Sequence, residues 1–270
     1  MLSIKNEGTT LAYTDEGSST TVAPMVLVHG WGCDHTSLKA QAEYFSRTRR
    51  VVNLDLPGHG ESDAPAEDYT MADYADDVAW LCAALGLHAP MMVGHSMGGN
   101  ILLELSARHP ETPGSIVLID SVLFPSETLI EASAPFIAAL AGPDFASAYR
   151  SGISRLHLIT DEIAAHESVF AALPRAPQHV LAASFVSQLI GQDIVAAASG
   201  YKVPVAYVGS SHLLADLQKL KVLVPQLVTA QVLGAGHFSP IIVPDQINAM
   251  LARFAAVSGL LQLLTRRVMT

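Results

Sequence analysis

The chain is poor in cysteine, in charge and in basic residues, and it has no long apolar run. Of 270 residues only Cys33 and Cys82 are cysteine, far apart and without a CxxC pair. This pattern suggests neither a disulfide framework nor a zinc knuckle, and a reduced protein with two ordinary thiols is expected. Charged residues make up 15% of the chain, too little for long disordered segments. Lys and Arg number 15 against 25 Asp and Glu, a formal net charge of −10. That sign excludes a general affinity for nucleic acid or anionic lipid, which needs clustered cations, and leaves small molecules or proteins as partners. No apolar run approaches membrane-spanning length, and the opening MLSIKNEGTTLAY lacks the basic-then-apolar pattern of a leader. A cytoplasmic, soluble protein with no membrane contact is expected. The basic-ended tail SGLLQLLTRRVMT reads as a last helix turn or a disordered end, and association into a homo-oligomer is left open.

Half of the residues are apolar, enough for one large core. Short runs with β character alternate with longer helical patterns, the signature of a mainly parallel sheet covered by helices on both faces. SIKNEGTTLAYTDEG reads as an opening hairpin; PMVLVHG, RVVNLDL, PMMVGHS, SIVLIDS, VPVAYVG and TAQVLGAGH read as buried strands. MADYADDVAWLCAALG is expected to be a helix, acidic toward its start and closed by Gly86. The interval between SIVLIDS and VPVAYVG is far too long for a loop plus one helix, and its Ala, Leu, Ile and Phe content predicts several short helices. Residues 121–202 are therefore expected to form a helical cap inserted into a core made of 1–120 and 203–270. Ligands of open α/β sheets bind at the carboxyl ends of the strands, so such a cap would wall the pocket.

Three stretches carry chemistry. Gly94-His95-Ser96-Met97-Gly98 follows an apolar strand and precedes the helical pattern NILLELSARHP. Glycines permit a strained strand-to-helix turn that lifts a serine hydroxyl clear of the sheet, at a helix start whose free N–H groups can face an oxyanion. VLVHGWGCDH also follows a strand; the main-chain N–H of Trp31 is expected as one oxyanion donor and that of Met97 as the other, although Trp31 could instead shape the pocket wall. GAGHFSP places His237 after the last apolar run, where imidazole could take the serine proton. Gly30, His95 and Phe238 flank these groups and are expected to line the pocket. Most other histidines (His35, His88, His109, His157, His166 and His179) fall on expected helix surfaces or turns and read as solvated.

Together with LDLPGHGES from Leu54 to Ser62, these stretches and their order resemble the α/β-hydrolase fold superfamily over nearly the whole chain outside the cap. The resemblance implies an eight-stranded-type, mostly parallel sheet and assigns His59 and Asp55 no catalytic duty, so structural turn roles are expected for them. It also implies a triad acid a few residues past VPVAYVG, where this chain has Gly209-Ser210-Ser211-His212 and no carboxylate. Asp120, at the end of SIVLID, is the preferred candidate, since some members carry the acid there; Asp216, in the helical pattern LLADLQKL, is the alternative.

The implied activity is a serine hydrolase cleaving a carboxylic ester or lactone of a small hydrophobic substrate, with Ser96, His237 and Asp120 as catalytic residues and neither metal nor cofactor. Two other chemistries stay open on the same fold: a cofactor-free dioxygenase, although Cys33 stands where that branch tends to have a histidine, and carbon–carbon bond hydrolysis. A binding protein without turnover is a further reading.

Overall fold

The computed structural model describes residues 1–18, 21–156, 176–199 and 201–268. Eight strands form one sheet: β1 (Leu2–Asn6), β2 (Thr9–Glu16), β3 (Met25–Val28), β4 (Val51–Leu54), β5 (Met91–His95), β6 (Ser115–Ile119), β7 (Val205–Gly209) and β8 (Val228–Gln231). Their spatial order is β1-β2-β4-β3-β5-β6-β7-β8. The hairpin β1–β2 turns at Glu7 and Gly8, both at positive φ, and β2 pairs antiparallel with β4. Every other pairing is parallel.

Side chains alternate across the sheet, so each apolar strand feeds two cores. Val26, Val28, Val52, Leu54, Met92, Ile116, Leu118 and Tyr207 face one layer with α2 (Met71–Ala84) and α3 (Met97–Arg108). Met25, Leu27, Val51, Met91, Val93, Val117, Ile119 and Val208 face the other with α1 (Lys39–Phe45) and Ile247 and Leu251 of the terminal helix. Burial on both faces is why these strands read as unbroken apolar runs. The start of α2 is set by Thr70 and Asp73, which cap each other's main-chain N–H groups, and it ends before Gly86 at φ 62°.

Between β6 and β7 the chain forms α4 (Glu127–Leu140), α5 (Phe145–Ser154), α6 (Gln178–Val186), a π turn at Ser187–Gly191 and α7 (Ile194–Ala198). Helices α8 (Leu217–Leu223), α9 (Ser239–Ile242) and α10 (Pro244–Val268) complete the order. His157 and His166 lie outside the described residues. Among the described residues no helix is long and apolar enough to cross a membrane.

Four expectations change. Strand β8 is not buried: it is the sheet edge, paired only with β7, and three of its four residues are exposed. The tail is more than one helix turn, because α10 runs from Pro244 to Val268. Asp216 caps α8 from outside, accepting from Lys219 N at 3.0 Å, rather than lying within it. His35 and His109 are not free in solvent: they bond to Asp55 at 2.8 Å and Asp76 at 2.7 Å.

Candidate active site

The turn between β5 and α3 places Ser96 at φ 52° and ψ −118°, outside the regions open to most side chains. Close packing enforces it. A Cβ on Gly98 would stand 2.2 Å from the Val28 carbonyl oxygen, and one on Gly94 would stand 2.4 Å from the Gly98 carbonyl carbon. The turn is tied down by Ser96 N donating to Ile119 O at 2.8 Å, and Gly99 N donates back to Ser96 O at 2.9 Å. As first residue of α3, Met97 has an N–H with no acceptor inside the helix.

His237 follows β8 on a loop whose main chain is held from two sides. Its N–H donates to Leu156 O at 3.2 Å, and its carbonyl accepts from His95 Nε2 at 2.8 Å. The His237 ring donates from Nδ1 to Asp120 Oδ2 at 2.8 Å. Asp120 is fully buried, and its other oxygen accepts from Ser210 N at 3.0 Å. Burial by itself raises the Asp120 carboxyl, but the bond and charge of His237 and the Ser210 N–H outweigh it and hold the group below its ordinary value. Asp120 therefore stays ionised and fixes the proton of the imidazole on Nδ1, which leaves Nε2 as the basic nitrogen. Asp216 takes no part in this pairing and is bonded instead to its own helix start.

The loop Gly30–Asp34 after β3 runs beside the serine: a Cβ on Gly30 would be 3.1 Å from Ser96 Cβ and 3.1 Å from His95 Nδ1. Two histidines hold its main chain. His29 accepts from Leu56 N at Nε2 (3.1 Å), so its Nδ1 donates to Gly30 O (2.8 Å). His59 accepts from Gly32 N at Nε2 (3.4 Å), so its Nδ1 donates to Pro57 O (3.0 Å). Each ring must keep one bare nitrogen, and burial keeps it neutral: it pushes His59 and His95 down to about 3 and lowers His29. Asp55 gathers His35 N, His35 Nδ1 and Glu61 N beneath this loop. Asp55 and His59 thus hold turns.

Ser96, His95, His237, Phe238, Gly30 and Trp31 border a cavity of about 340 Å³, within the size range of small-molecule sites. Its far wall is mostly apolar, with Val122, Leu129, Phe136, Ile153, Phe185 and Leu214, and also carries Ser133, Arg155 and Gln188. The Trp31 ring packs on Phe136, Tyr149 and Phe185, and its indole N–H donates to Leu181 O at 2.9 Å. The side chain thus forms wall, whatever the main-chain N–H does. Tyr149 OH adds a second tie, to Gly32 O at 3.0 Å. Cys33 also borders the cavity; burial pushes its thiol up to about 12, so it stays protonated. Among the described residues no hydrogen bond joins the Ser96 hydroxyl to the His237 ring, though both face this space. Nor, among them, does any group of His, Cys, Asp and Glu form a metal-binding cluster.

The sheet order, the serine turn and the paired histidine and aspartate can be set beside known proteins. Residues 23–256 match the family model described as alpha/beta hydrolase fold. The chain belongs to the α/β-hydrolase fold family. Among curated relatives of this family, it is 34% identical over 113 residues to the (E)-2-((N-methylformamido)methylene)succinate hydrolase of Acinetobacter baylyi, a match covering 42% of each chain. The chain spans less than half the length of the curated relatives it matches. Among solved α/β-hydrolase structures, a thermophilic esterase from Thermogutta terrifontis superposes with a TM-score of 0.83, at 23% identity, over 95% of this chain and 97% of its own. The enol-lactonase from Burkholderia xenovorans LB400 gives 0.83 at 22% identity over 94% and 100%. At these identities the likeness is one of fold, and fold alone does not name a reaction.

Sequence reasoning named His95 only as a pocket neighbour and passed over His29. What each ring touches is set by residues distant in sequence. The VHG that closes β3, a polar ring directly after a buried strand, was the available signal for His29. Asn100 and Gln188 were missed without any such signal.

Proposed function

We propose that this protein is a serine hydrolase that cleaves carboxylic esters or lactones of small hydrophobic compounds through an acyl-enzyme. The observation that carries this reading is the His237–Asp120 bond of 2.8 Å at the wall of the same cavity into which the strained Ser96 turn opens. In the proposed reaction Ser96 Oγ attacks the ester carbonyl carbon while His237 Nε2 takes its proton. The N–H groups of Met97 and Trp31 stabilise the tetrahedral oxyanion. Collapse expels the alcohol, which takes the proton back from His237. Water, activated by the same ring, then attacks the acyl-enzyme and frees the acid and Ser96. Asp120 orients His237 and stabilises the imidazolium without accepting its proton. Residues 121–202 act as the cap over a core of 1–120 and 203–270, and its apolar wall favours a hydrophobic acyl or alcohol group. This route uses no metal or cofactor.

Fluorophosphonate labelling and hydrolysis of short p-nitrophenyl esters test the reading. Both should occur and both should vanish in Ser96→Ala; hydrolysis that survives Ser96→Ala would refute the acyl-enzyme. Oxygen uptake with a hydroxyquinolone would point instead to the cofactor-free dioxygenase. Cys33 stands where that branch tends to have a further histidine, and its protonated thiol does not replace an imidazole.

A further inference from the structure

Gln188 lies on the π turn Ser187–Gly191, is 6% exposed, and borders the cavity together with Ser96 and His237. Its neighbours dictate which way its amide points. The Val122 carbonyl can only accept, so Asn100 turns Nδ2 toward it at 2.9 Å, and the same nitrogen donates to Gln192 Oε1 at 2.9 Å. Gln192 agrees, because its Nε2 donates to Asn100 O at 2.9 Å. Asn100 therefore meets Gln188 with Oδ1, and Gln188 must donate from Nε2 at 3.2 Å. The amide oxygen of Gln188 is the end left over, and among the described residues no group donates to it.

Three other donors of the wall are already engaged, while among the described residues His95 Nδ1 is a second acceptor without a partner and Arg155 also borders the cavity. Ser133 Oγ donates to Leu129 O at 2.7 Å, the Trp31 indole to Leu181 O and His95 to His237 O. On so nearly buried a residue, an acceptor without a protein partner can find a donor only in the adjoining space. Asn100 stands one helical turn after Ser96 on α3, so this oxygen is indexed to the nucleophile's own helix.

We infer that Gln188 is a specificity-determining residue whose Oε1 accepts a hydrogen bond from the substrate, so the preferred ester or lactone carries a hydroxyl or amide N–H beside its apolar body. The inference rests on the serine hydrolase reading for the identity of the reacting group. A π turn at this point is consistent with it, because the extra residue re-aims a side chain inward, a frequent use of such turns at functional sites.

The test measures binding without turnover. In Ser96→Ala, phenyl butyrate is titrated by calorimetry against phenyl 2-hydroxybutyrate, phenyl 3-hydroxybutyrate and the phenyl ester of N-acetylglycine. At least one donor-bearing ester should bind about 10-fold more tightly than phenyl butyrate, the scale of one net hydrogen bond. Adding Gln188→Met should remove that advantage, so that the donor-bearing ester and phenyl butyrate bind alike. The inference is overturned if no donor-bearing ester exceeds phenyl butyrate, a comparison that needs no Gln188 variant. It is also overturned if the ratio of the two affinities survives Gln188→Met. Failure of the hydrolase reading would show separately, as absent fluorophosphonate labelling and absent product with Ser96 intact.

Discussion

Replacing Asp120 by Asn changes one atom and should nearly abolish turnover. Asp120 accepts from two donors, Ser210 N at 3.0 Å and His237 Nδ1 at 2.8 Å. Asn has one accepting and one donating end. The Ser210 N–H is a main-chain group that can only donate, so the Asn oxygen must face it and the NH2 must face His237. His237 then has to accept at Nδ1 and carry its proton on Nε2, the nitrogen that receives the proton of Ser96 in the proposed reaction. The ring is intact but in the wrong tautomer. Neutralising a triad acid in this way costs about 10⁴ in kcat, or about 5 kcal/mol of transition-state stabilisation. Stability should change little by comparison, since both hydrogen bonds survive with reversed polarity on one side. The assay is kcat for a p-nitrophenyl ester, paired with ¹⁵N chemical shifts of the His237 ring, which should move from the Nδ1–H to the Nε2–H form. Asp216→Asn is the control: Asn caps an exposed helix start as well as Asp does, so it should cost little stability and none of the rate. If Asp120→Asn kept a tenth of the activity, or if Asp216→Asn were the crippling change, the tautomer argument would be wrong.

Four further outcomes follow from burial and packing. His59 and His95 are held neutral with values of about 3 against 6.5 when unfolded, so their stabilisation is complete above 6.5 and drains away as the pH falls toward 3. At pH 5 the pair loses about 4 kcal/mol. His35 and Asp77, both raised, offset part of this, so urea unfolding at pH 5 should show a net loss on the order of 2 kcal/mol relative to pH 7.5; equal stabilities would refute the neutral rings. Asp77, half-buried on α2, is pushed up to about 6 mainly by desolvation, so its favourable contribution is present below 3.8 and lost as the pH rises through 6. Asp77→Asn should therefore stabilise by about 1 kcal/mol at pH 8, after allowance for solvent screening, and by progressively less toward pH 4; a gain independent of pH would count against it. Gly98→Ala forces a Cβ to 2.2 Å from the Val28 oxygen and should cost about 3 kcal/mol or more together with the activity. Ser96→Gly, by contrast, relieves the φ of 52° and should be about 1 kcal/mol more stable than Ser96→Ala in thermal unfolding, though neither turns over.

Much of the fold was legible because its signals are local. The apolar runs of β3 to β7 are short, dense and separated by helical periodicity, and the glycines at 94, 98 and 99 mark a turn that only close packing requires. Burial of β8 was not legible, because an apolar run does not say whether a strand has one neighbour or two. The solvated reading of His35 failed for the same kind of reason: its partner, Asp55, is twenty residues away on another loop.

By itself, then, the sequence determined the alternation that builds the sheet, the strained serine, the placing of a histidine after the last strand, and the lack of an acid after β7. The tertiary structure decided what that lack means. Strands β6 and β7 are neighbours, so Asp120 at the end of one and Ser210 after the other converge, and the residue standing where an acid was expected donates its N–H to the carboxylate next door. His237 and Asp120 are 117 positions apart, and Gln188 and Asn100 are 88 apart. Periodicity reports which face a side chain occupies, but the partner it finds, and so its proton and its amide orientation, is set only when the chain closes on itself.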